Sequence, residues 1–350
     1  MTEGRMHLYD LGSVPWAKSQ LIYHALPRLG REALVLLSPA DPYVCIGYHQ
    51  DLDQEVDVEF CRSNHIPIFR REVGGGGVYL DNDQLFYQLV IHKDNPLAPG
   101  DKSSFYRRFL QPPIDTYREI GIPAEYKPVN DIMAHQRKIS GNGAGEIGDY
   151  LVLVGNLILD FNYEMMSRVL KVPDEKFRDK VYKSMRENLS TVKRELGSIP
   201  PRESLTASLA SNFERVLGPL PRAGLGDELR EEVSRLKAEF SSQEWLYRIG
   251  KQMEGRTVKI AAGVEVKHLV HKAPGGLIRG DVEIADDVIS SVVLSGDFFF
   301  YPAEKLAELS EALVGTKTGE AEQTIRKFYR AHGIESPGVE PSDFARVVVG

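Results

Sequence analysis

Residues 70–91, RREVGGGGVYLDNDQLFYQLVI, set four consecutive glycines between two segments patterned as strands. Glycine loses more backbone freedom on folding than any other residue. A run of it needs a reason: a backbone path that side chains forbid, or a bound group that needs the room. Before the run, IPIFRRE (66–72) is short, β-branched and aromatic. After it, the turn-like DNDQ leads into LFYQLVIH (85–92), which alternates as a strand does. The expected unit is strand, glycine loop, strand, with a sheet built outward from it.

Upstream, EALVLLS (32–38) and PYVCIGY (42–48) read as further strands, and PWAKSQLIYHAL (15–26) as a helix starting near Pro15. Downstream, residues 103–122 read as helical. RKIS (137–140) and YLVLVGNLILDF (150–161) read as strands separated by a glycine-rich loop, GNGAGEIGD. Residues 163–250 are mostly helical and charged; in GDELREEVSRLKAEF, Asp227 is available as an N-cap. Strands return in RTVKIAAGVEVKHLVHK (256–272), GGLIRGDVEIADD (275–287) and VISSVVLSGDFFF (288–300), with helices beginning near Pro302 and Gly319. The pattern is α+β, in two domains, 1–250 and 256–350, with IGKQMEG (249–255) between them.

Composition narrows the class. With 42% hydrophobic and 27% charged residues, and no apolar run near the length of a membrane span, a water-soluble protein is expected. MTEGRMHLYDLGSVPW at the start lacks the apolar core of a signal peptide, and two cysteines, Cys45 and Cys61, give no disulfide framework. Both point to the cytoplasm. A net charge of −7 argues against general nucleic-acid binding. The nine histidines show no metal-ligand spacing, and His49 and His92 are expected as partly exposed strand ends.

A glycine-rich turn exposes backbone N–H groups that cradle an anion. The ATPase P-loop spacing is missing. Gly143, Gly145 and Gly148 match the letters of a dinucleotide fingerprint, but a strand-like stretch follows where a helix is required. Two readings of Gly74–Gly77 remain: a flexible hairpin loop, or an anion cradle beside Arg70 and Arg71. Arg is suited to carboxylates and phosphates. Lys138, next to the other glycine-rich element, favours the cradle: two loops, each with a cation, converging on one anionic ligand.

RREVGGGGVYLD resembles the Arg-Arg-x-x-Gly-Gly-Gly-x-Val-aromatic-x-Asp signature of the lipoate–protein ligase A family, and VNDIMAHQRKISGNGAG (129–145) resembles its Asn-Asp followed by Lys-Ile-Ser-Gly. The likeness extends over most of residues 5–250. HKAPGGLIRGDVEIADDVISSVVLSGDFFFYPAEKLAELSEALVG (271–315) is similar to the accessory domain of bipartite ligases. The resemblance implies a mixed-sheet biotin/lipoate ligase-like catalytic domain with a small α+β accessory domain. It implies ATP, Mg²⁺ and lipoate as substrate, with lipoyl-adenylate formed first and its acyl group then passed to a lysine of an acceptor. That acceptor would be a lipoyl domain of a 2-oxoacid dehydrogenase, the glycine-cleavage H protein or a related carrier, and the enzyme a monomer.

On this resemblance Lys138 is the catalytic lysine, neutralising charge where carboxylate and α-phosphate meet. Gly75, Gly76 and Gly77 wrap the activated group, Val78 and Tyr79 adjoin it, and Arg70 and Arg71 border the pocket. Asn130 and Asp131 bond the nucleotide, with Asp131 a possible Mg²⁺ ligand. Gly141 and Gly143 let the second loop approach the nucleotide. Val44, Ile46, Val78, Tyr79 and Phe86 would line an apolar channel for the lipoyl tail, or be plain core. Asp297 and the phenylalanines after it read as structural.

Three places depart from the family pattern. Leu80 stands where the family has His, Asp83-Gln84 where it has Gly-Asn, and Val154-Gly155-Asn156 where it has His-Gly-Thr. They keep two alternatives in view. One is a cysteine-dependent octanoyl or lipoyl transferase, opposed by the lack of any Cys after Cys61. The other is a non-catalytic carrier or regulator that binds lipoate or the acceptor.

Overall fold

Strands Ala33–Pro39 (β2) and Gln84–His92 (β6) are almost wholly buried because helices cover both of their faces. The structure is a computed structural model and describes residues 6–249 and 264–350. The main sheet runs in the order β1-β2-β6-β11-β10, with β1 at His7–Val14, β10 at Asn142–Ile147 and β11 at Tyr150–Ile158. β1 lies parallel to β2 and the other pairs are antiparallel, so the sheet is mixed. On one face, Leu85, Tyr87, Leu89 and Ile91 of β6 join Phe105, Phe109, Tyr117 and Phe213 in the core. The alternate residues face helix α1 (Trp16–Arg28), where Gln88 Nε2 donates to the Ser19 carbonyl at 2.5 Å.

Between these strands lie Tyr43–Ile46 (β3), the short helices α2 (Leu52–Glu55) and α3 (Val58–Ser63), and strands β4 (Ile68–Arg70) and β5 (Val78–Leu80). β3, β4 and β5 form a three-stranded sheet with β3 central. The helix expected over 103–122 is two, α4 (Lys102–Phe109) and α5 (Gln111–Glu119). Pro112 and Pro113 start the second, where their missing N–H groups cost nothing. A second small sheet follows: β7 (Ala124–Lys127), β8 (Asp131–Ala134) and β9 (Arg137–Ser140).

The stretch GNGAGEIGD is not the expected loop. Its six residues Asn142–Ile147 are β10, paired residue by residue with β11 from Asn142↔Gly155 to Ile147↔Tyr150. Only the end turns, through Gly148 at φ +58°. Helices α6 (Tyr163–Val169), α7 (Glu175–Asn188), α8 (Val192–Leu196), α9 (Arg202–Leu217) and α10 (Asp227–Phe240) complete this part. The cap of α10 is Gly226, with Asp227 its first residue rather than its N-cap.

The chain divides into two compact units: Met1–Cys45 with Asp57–Phe69 and Val78–Ser241, and Ile46–Val56 with Arg70–Gly77 and Ser242–Gly350. In the second, Val264–Ala273 (β12), Gly276–Ala285 (β13) and Val288–Gly296 (β14) form an antiparallel meander. β13 alternates strictly between buried and half-buried residues. Its inward Ile278, Val282 and Ile284 pack in a core with Leu309, Ile325, Phe344 and Val347 of the three C-terminal helices. The linker IGKQMEG beyond Ile249, and the strand expected over RTVKIAAG, lie outside the described residues. No helix among the described residues is long and apolar enough to cross a membrane.

Candidate active site

Lys138 and Asp131 meet because of a two-residue hairpin. β8 and β9 are joined by His135 and Gln136, both left-handed at φ 45° and 66°, as the tight turns that match strand twist require. Asp131 and Met133 share one face of β8, and Lys138 lies opposite Met133 on the same face. Lys138 Nζ therefore reaches diagonally to Asp131 Oδ1 at 2.7 Å. The other face carries Ile132 and Ile139, both fully buried. The backbone of β9 is held by Ser190 N–H donating to the Lys138 carbonyl at 2.8 Å and Tyr117 Oη–H donating to the Ile139 carbonyl at 2.6 Å. The Lys138 side chain is 36% exposed, so it is carried on a braced strand yet open to an anion.

Behind the lysine lies a buried polar network. Asn156 Oδ1 accepts the Gly141 N–H at 2.8 Å, and its Nδ2 donates to Gln84 Oε1 at 2.8 Å. Ser140 Oγ donates to the Asn156 carbonyl at 2.6 Å. Asn130 and Asn142 bond each other's backbone carbonyls through their side-chain amides. Tyr87 Oη–H donates to Asn142 Oδ1, and burial raises its phenol well above the usual range, so it stays a donor. Gly155 is glycine because a Cβ there would lie 2.3 Å from Asn142 Oδ1 and 2.4 Å from the Tyr87 ring. Gly141 ends this hairpin, and Gly143 sits within β10 opposite Val154 rather than in a loop.

Sequence reasoning reaches Gln84 and Asn156 only as departures from the family pattern, and it does not single out Tyr87, Ser140 or Asn142. The available signal was polar groups inside otherwise apolar strands. Of the expected channel residues, Val44, Ile46, Tyr79 and Phe86 are buried, whereas Val78 is 36% exposed. Tyr79 N–H donates to Met166 Sδ at 3.2 Å.

In the second unit, the two arginines before the glycines separate in role. Arg70 is fully buried, and its guanidinium makes six hydrogen bonds to five backbone carbonyls: Gly47, Tyr48, Gln50, Trp245 and Leu246. Trp245 Nε1–H returns a bond to the Arg70 carbonyl at 2.9 Å. Arg71 Nη2 donates to the carbonyls of Gly74 and Gly76, at 2.8 and 2.9 Å, and so fixes the loop.

The four glycines also divide. Gly74 is required by packing, since a Cβ would lie 2.8 Å from the Phe298 carbonyl oxygen. Gly75 has φ +92°, and its N–H donates to that same carbonyl at 3.2 Å. At Gly76 and Gly77 a Cβ would have no neighbour nearer than 3.7 and 3.6 Å. Protein packing explains the first pair. At the second pair a Cβ would make only ordinary van der Waals contacts, so protein packing does not require glycine there.

His49 is not the exposed strand end expected. It follows β3 in a loop, is 2% exposed and stacks on Phe298 with ring centroids 5.4 Å apart. Its Nε2 has no hydrogen-bond partner among the described residues, and burial, reinforced by Arg248 and Arg70, lowers its pKa to about 3. His92 does end β6, half-buried. Asp297 accepts the Leu277 N–H, the structural role expected of it. No group of three or more His, Cys, Asp or Glu suited to a metal occurs among the described residues.

Residues 12–214 match the model of the lipoyl protein ligase A/B catalytic domain. Lipoate-protein ligase A subunit 1 of Thermoplasma acidophilum is 32% identical over 203 residues, 54% of this chain and 76% of that protein. The lipoate-protein ligase LplJ of Bacillus subtilis is 26% identical over 277 residues, 78% of each chain. An octanoyltransferase, LipM of Kyrpidia tusciae, is 24% identical over 230 residues, 59% of this chain and 84% of that one. Among solved structures, an archaeal bipartite lipoate protein ligase from T. acidophilum, studied with its E2 lipoyl domain, superposes with a TM-score of 0.62 at 25% identity, covering 69% of this chain and 96% of its own. A lipoate-protein ligase A bound with ATP gives 0.58 at 25% identity, covering 70% and 99%.

Proposed function

The chain belongs to the lipoyl protein ligase A/B catalytic domain family, and from that premise we propose that it is an ATP-dependent lipoate–protein ligase. A lipoate carboxylate oxygen attacks the α-phosphorus of ATP, the bond to pyrophosphate breaks, and lipoyl-adenylate forms. The ε-amine of an acceptor lysine then attacks the acyl carbon, AMP leaves, and an amide and a proton result. The observation that carries the reading is Lys138, on the Lys-Ile-Ser-Gly strand, held 2.7 Å from Asp131 on a braced hairpin.

In this reading Lys138 neutralises charge at the reacting carboxylate and α-phosphate. Asn130 and Asp131 face the nucleotide, and Gly141 and Gly143 let β9 and β10 approach it. Gly75, Gly76 and Gly77 receive the adenylate by close backbone approach, beside Val78 and Tyr79. Arg71 shapes that loop, and Arg70, wholly engaged with carbonyls, holds the scaffold under it. A single carboxylate, Asp131, fits Mg²⁺ that arrives on phosphate oxygens, since Mg²⁺ takes few protein ligands in such sites. Bound there, Mg²⁺ would offset phosphate charge.

The reading assigns residues 1–250 to catalysis and 256–350 to an accessory domain. The acceptor is a lipoyl domain of the 2-oxoacid dehydrogenase type, as the archaeal relative's pairing with an E2 lipoyl domain supports. The H protein is a further acceptor of the same kind. A monomeric cytoplasmic enzyme completes the proposal.

The LipM relative makes the transferase the second reading, and the thiols oppose it. Cys45 and Cys61 are buried to 1% and 0% exposure, and burial raises the Cys61 pKa to about 11. A transferring thiol needs the reverse, exposure and a lowered pKa.

The test is lipoate-dependent ATP–pyrophosphate exchange by the wild type and by Lys138→Ala. Exchange that collapses in the variant supports adenylation by Lys138. Folded protein that shows no exchange with lipoate or octanoate overturns the ligase reading.

A further inference from the structure

The backbone of Lys138 is held by residues far along the chain. Leu189 forms an isolated parallel bridge with Lys138, and Ser190 N–H donates to the Lys138 carbonyl at 2.8 Å. What fixes Ser190 in turn is a carboxylate. Ser190 Oγ–H donates to Glu195 Oε1, and Glu195 Oε2 lies 3.6 Å from His135 Nε2 at the tip of the β8–β9 hairpin. One side chain thus touches both pieces of chain that flank Lys138: the turn before it and the segment bonded to its carbonyl.

Helix α8 puts Glu195 there. It starts on Thr191, whose Oγ1 accepts the Arg194 N–H at 3.0 Å, and it ends at Gly197 in the left-handed region, at φ 77°. Its first turn is pinned to the chain beyond β11: Lys193 N–H donates to the Leu159 carbonyl at 3.0 Å, and Lys193 Nζ pairs with Asp160 at 2.6 Å. Ser190, Thr191 and Val192 are buried to 2% exposure or less. The Glu195 backbone N–H closes the turn on the Thr191 carbonyl at 3.0 Å.

Two ordinary roles for Glu195 fall short. Helix capping does not require the Ser190–Glu195 bond, because Thr191 already caps α8. A surface ion pair does not describe it either. The Glu195 side chain is only 10% exposed, and a carboxylate so covered is costly unless its oxygens are used. His135, at 59% exposure, is a partner that solvent weakens. The contact of consequence is therefore the one to Ser190, which is fully buried and one bond away from Lys138.

We infer that Glu195 is a positioning residue for Lys138, acting through Ser190. This rests on the ligase reading above, in which Lys138 neutralises charge at the reacting carboxylate and α-phosphate. Charge concentrates there in the transition state, so a displaced ammonium lowers kcat more than it weakens the binding of ATP or lipoate. Glu195 sets the place of β9 from behind, and Lys138 meets the substrates.

The experiment measures kcat and both KM values of lipoate-dependent ATP–pyrophosphate exchange for the full chain, in wild type, Glu195→Ala, Glu195→Gln, Ser190→Ala and the Ser190→Ala/Glu195→Ala double variant, with Lys138→Ala as the control. Urea unfolding fixes a temperature at which every variant is folded. Glu195→Ala and Ser190→Ala are each expected to lower kcat on the order of tenfold, with the KM for ATP and for lipoate within about twofold of wild type. The double variant should be no slower than either single one, since both remove the same bond. Glu195→Gln keeps an oxygen for the Ser190 hydroxyl and should recover kcat to within about threefold of wild type. A merely structural role would lower the urea midpoint and leave kcat of the folded protein unchanged, which overturns the proposal. So does a loss in Glu195→Gln equal to that in Glu195→Ala, or multiplication of the two single losses in the double variant. Where wild type exchanges and Lys138→Ala does not, these failures leave the ligase reading standing. Exchange absent from the wild type overturns that reading, and the role of Glu195 with it.

Discussion

Asn156 and Gln84, on neighbouring strands, are joined by one hydrogen bond of 2.8 Å, and the same Asn156 side chain holds the Gly141 N–H at 2.8 Å. Both positions are among those expected, on the resemblance, to depart from the family pattern. Asn156→Ala leaves buried donors and acceptors without partners and is expected to cost about 1–3 kcal/mol in urea unfolding. Gln84→Ala should cost less than that when Asn156 is already gone, with a coupling of about 0.5–3 kcal/mol. Strict additivity in the double-mutant cycle would refute the pairing.

The glycine run should respond to alanine in two distinct ways. Gly74→Ala meets the Phe298 carbonyl at 2.8 Å, and Gly75→Ala forces a side chain onto φ +92°. Both should lower the melting temperature, the second by the equivalent of about 1–2 kcal/mol. Gly76→Ala has no neighbour within 3.7 Å and should melt like the wild type. Its pyrophosphate exchange should fall by about tenfold or more, because a methyl group displaces the ligand from its reactive position. Normal exchange in Gly76→Ala would return the run to a simple loop.

Arg70→Lys tests whether a guanidinium fork is needed where charge alone is retained. A lysine cannot satisfy five carbonyls spread around a planar group. A loss of about 3 kcal/mol or more is expected by chemical denaturation, since hydrogen bonds to charged groups contribute strongly when buried. Wild-type stability in this variant would show that the carbonyls find other donors.

His49 gives stability a pH dependence. In the unfolded chain it binds a proton near pH 6.5, whereas in the folded protein burial holds its pKa to about 3. Between those values the unfolded state binds more protons, so stability falls as pH drops, by up to about 1.4 kcal/mol per pH unit for this one group. Urea midpoints measured from pH 7 down to pH 4 should fall, and His49→Phe should flatten the fall. An equal slope in both proteins would assign it to other groups.

How far the sequence was legible depends on the range of the interactions involved. RKIS coincides with β9, and YLVLVGNLILDF finds β11 but overruns its end at Ile158, because β-branching and apolar character are local properties whereas strand ends are not. GNGAGEIGD misleads for a physical reason: its glycines look like loop residues, yet pairing with β11 overrides their propensity. Pro112 and Pro113 are the local mark of the break between α4 and α5. Lys138 and Asp131 were found through the motif, and their 2.7 Å contact follows from strand alternation once the hairpin is known. Arg70 shows what sequence spacing cannot supply. Its partners Trp245 and Leu246 lie 175 and 176 residues further along, and nothing local marks them.

The Arg70 cage also bears on how such a chain could be cut. Arg70, just before the glycine loop, is bonded to Trp245 and Leu246, and the loop itself bonds the Phe298 carbonyl. A gene split just after residue 250 would keep Trp245 and Leu246 with Arg70 but remove the carbonyl that receives the Gly75 N–H. A split before residue 242 would strip the guanidinium of two of its five acceptors. The first part of such a divided protein would keep the Arg71 bonds to the Gly74 and Gly76 carbonyls but would need the Phe298 carbonyl returned by a second polypeptide. Subunit association would then set the conformation of that loop, a form of control that a fused chain builds in permanently.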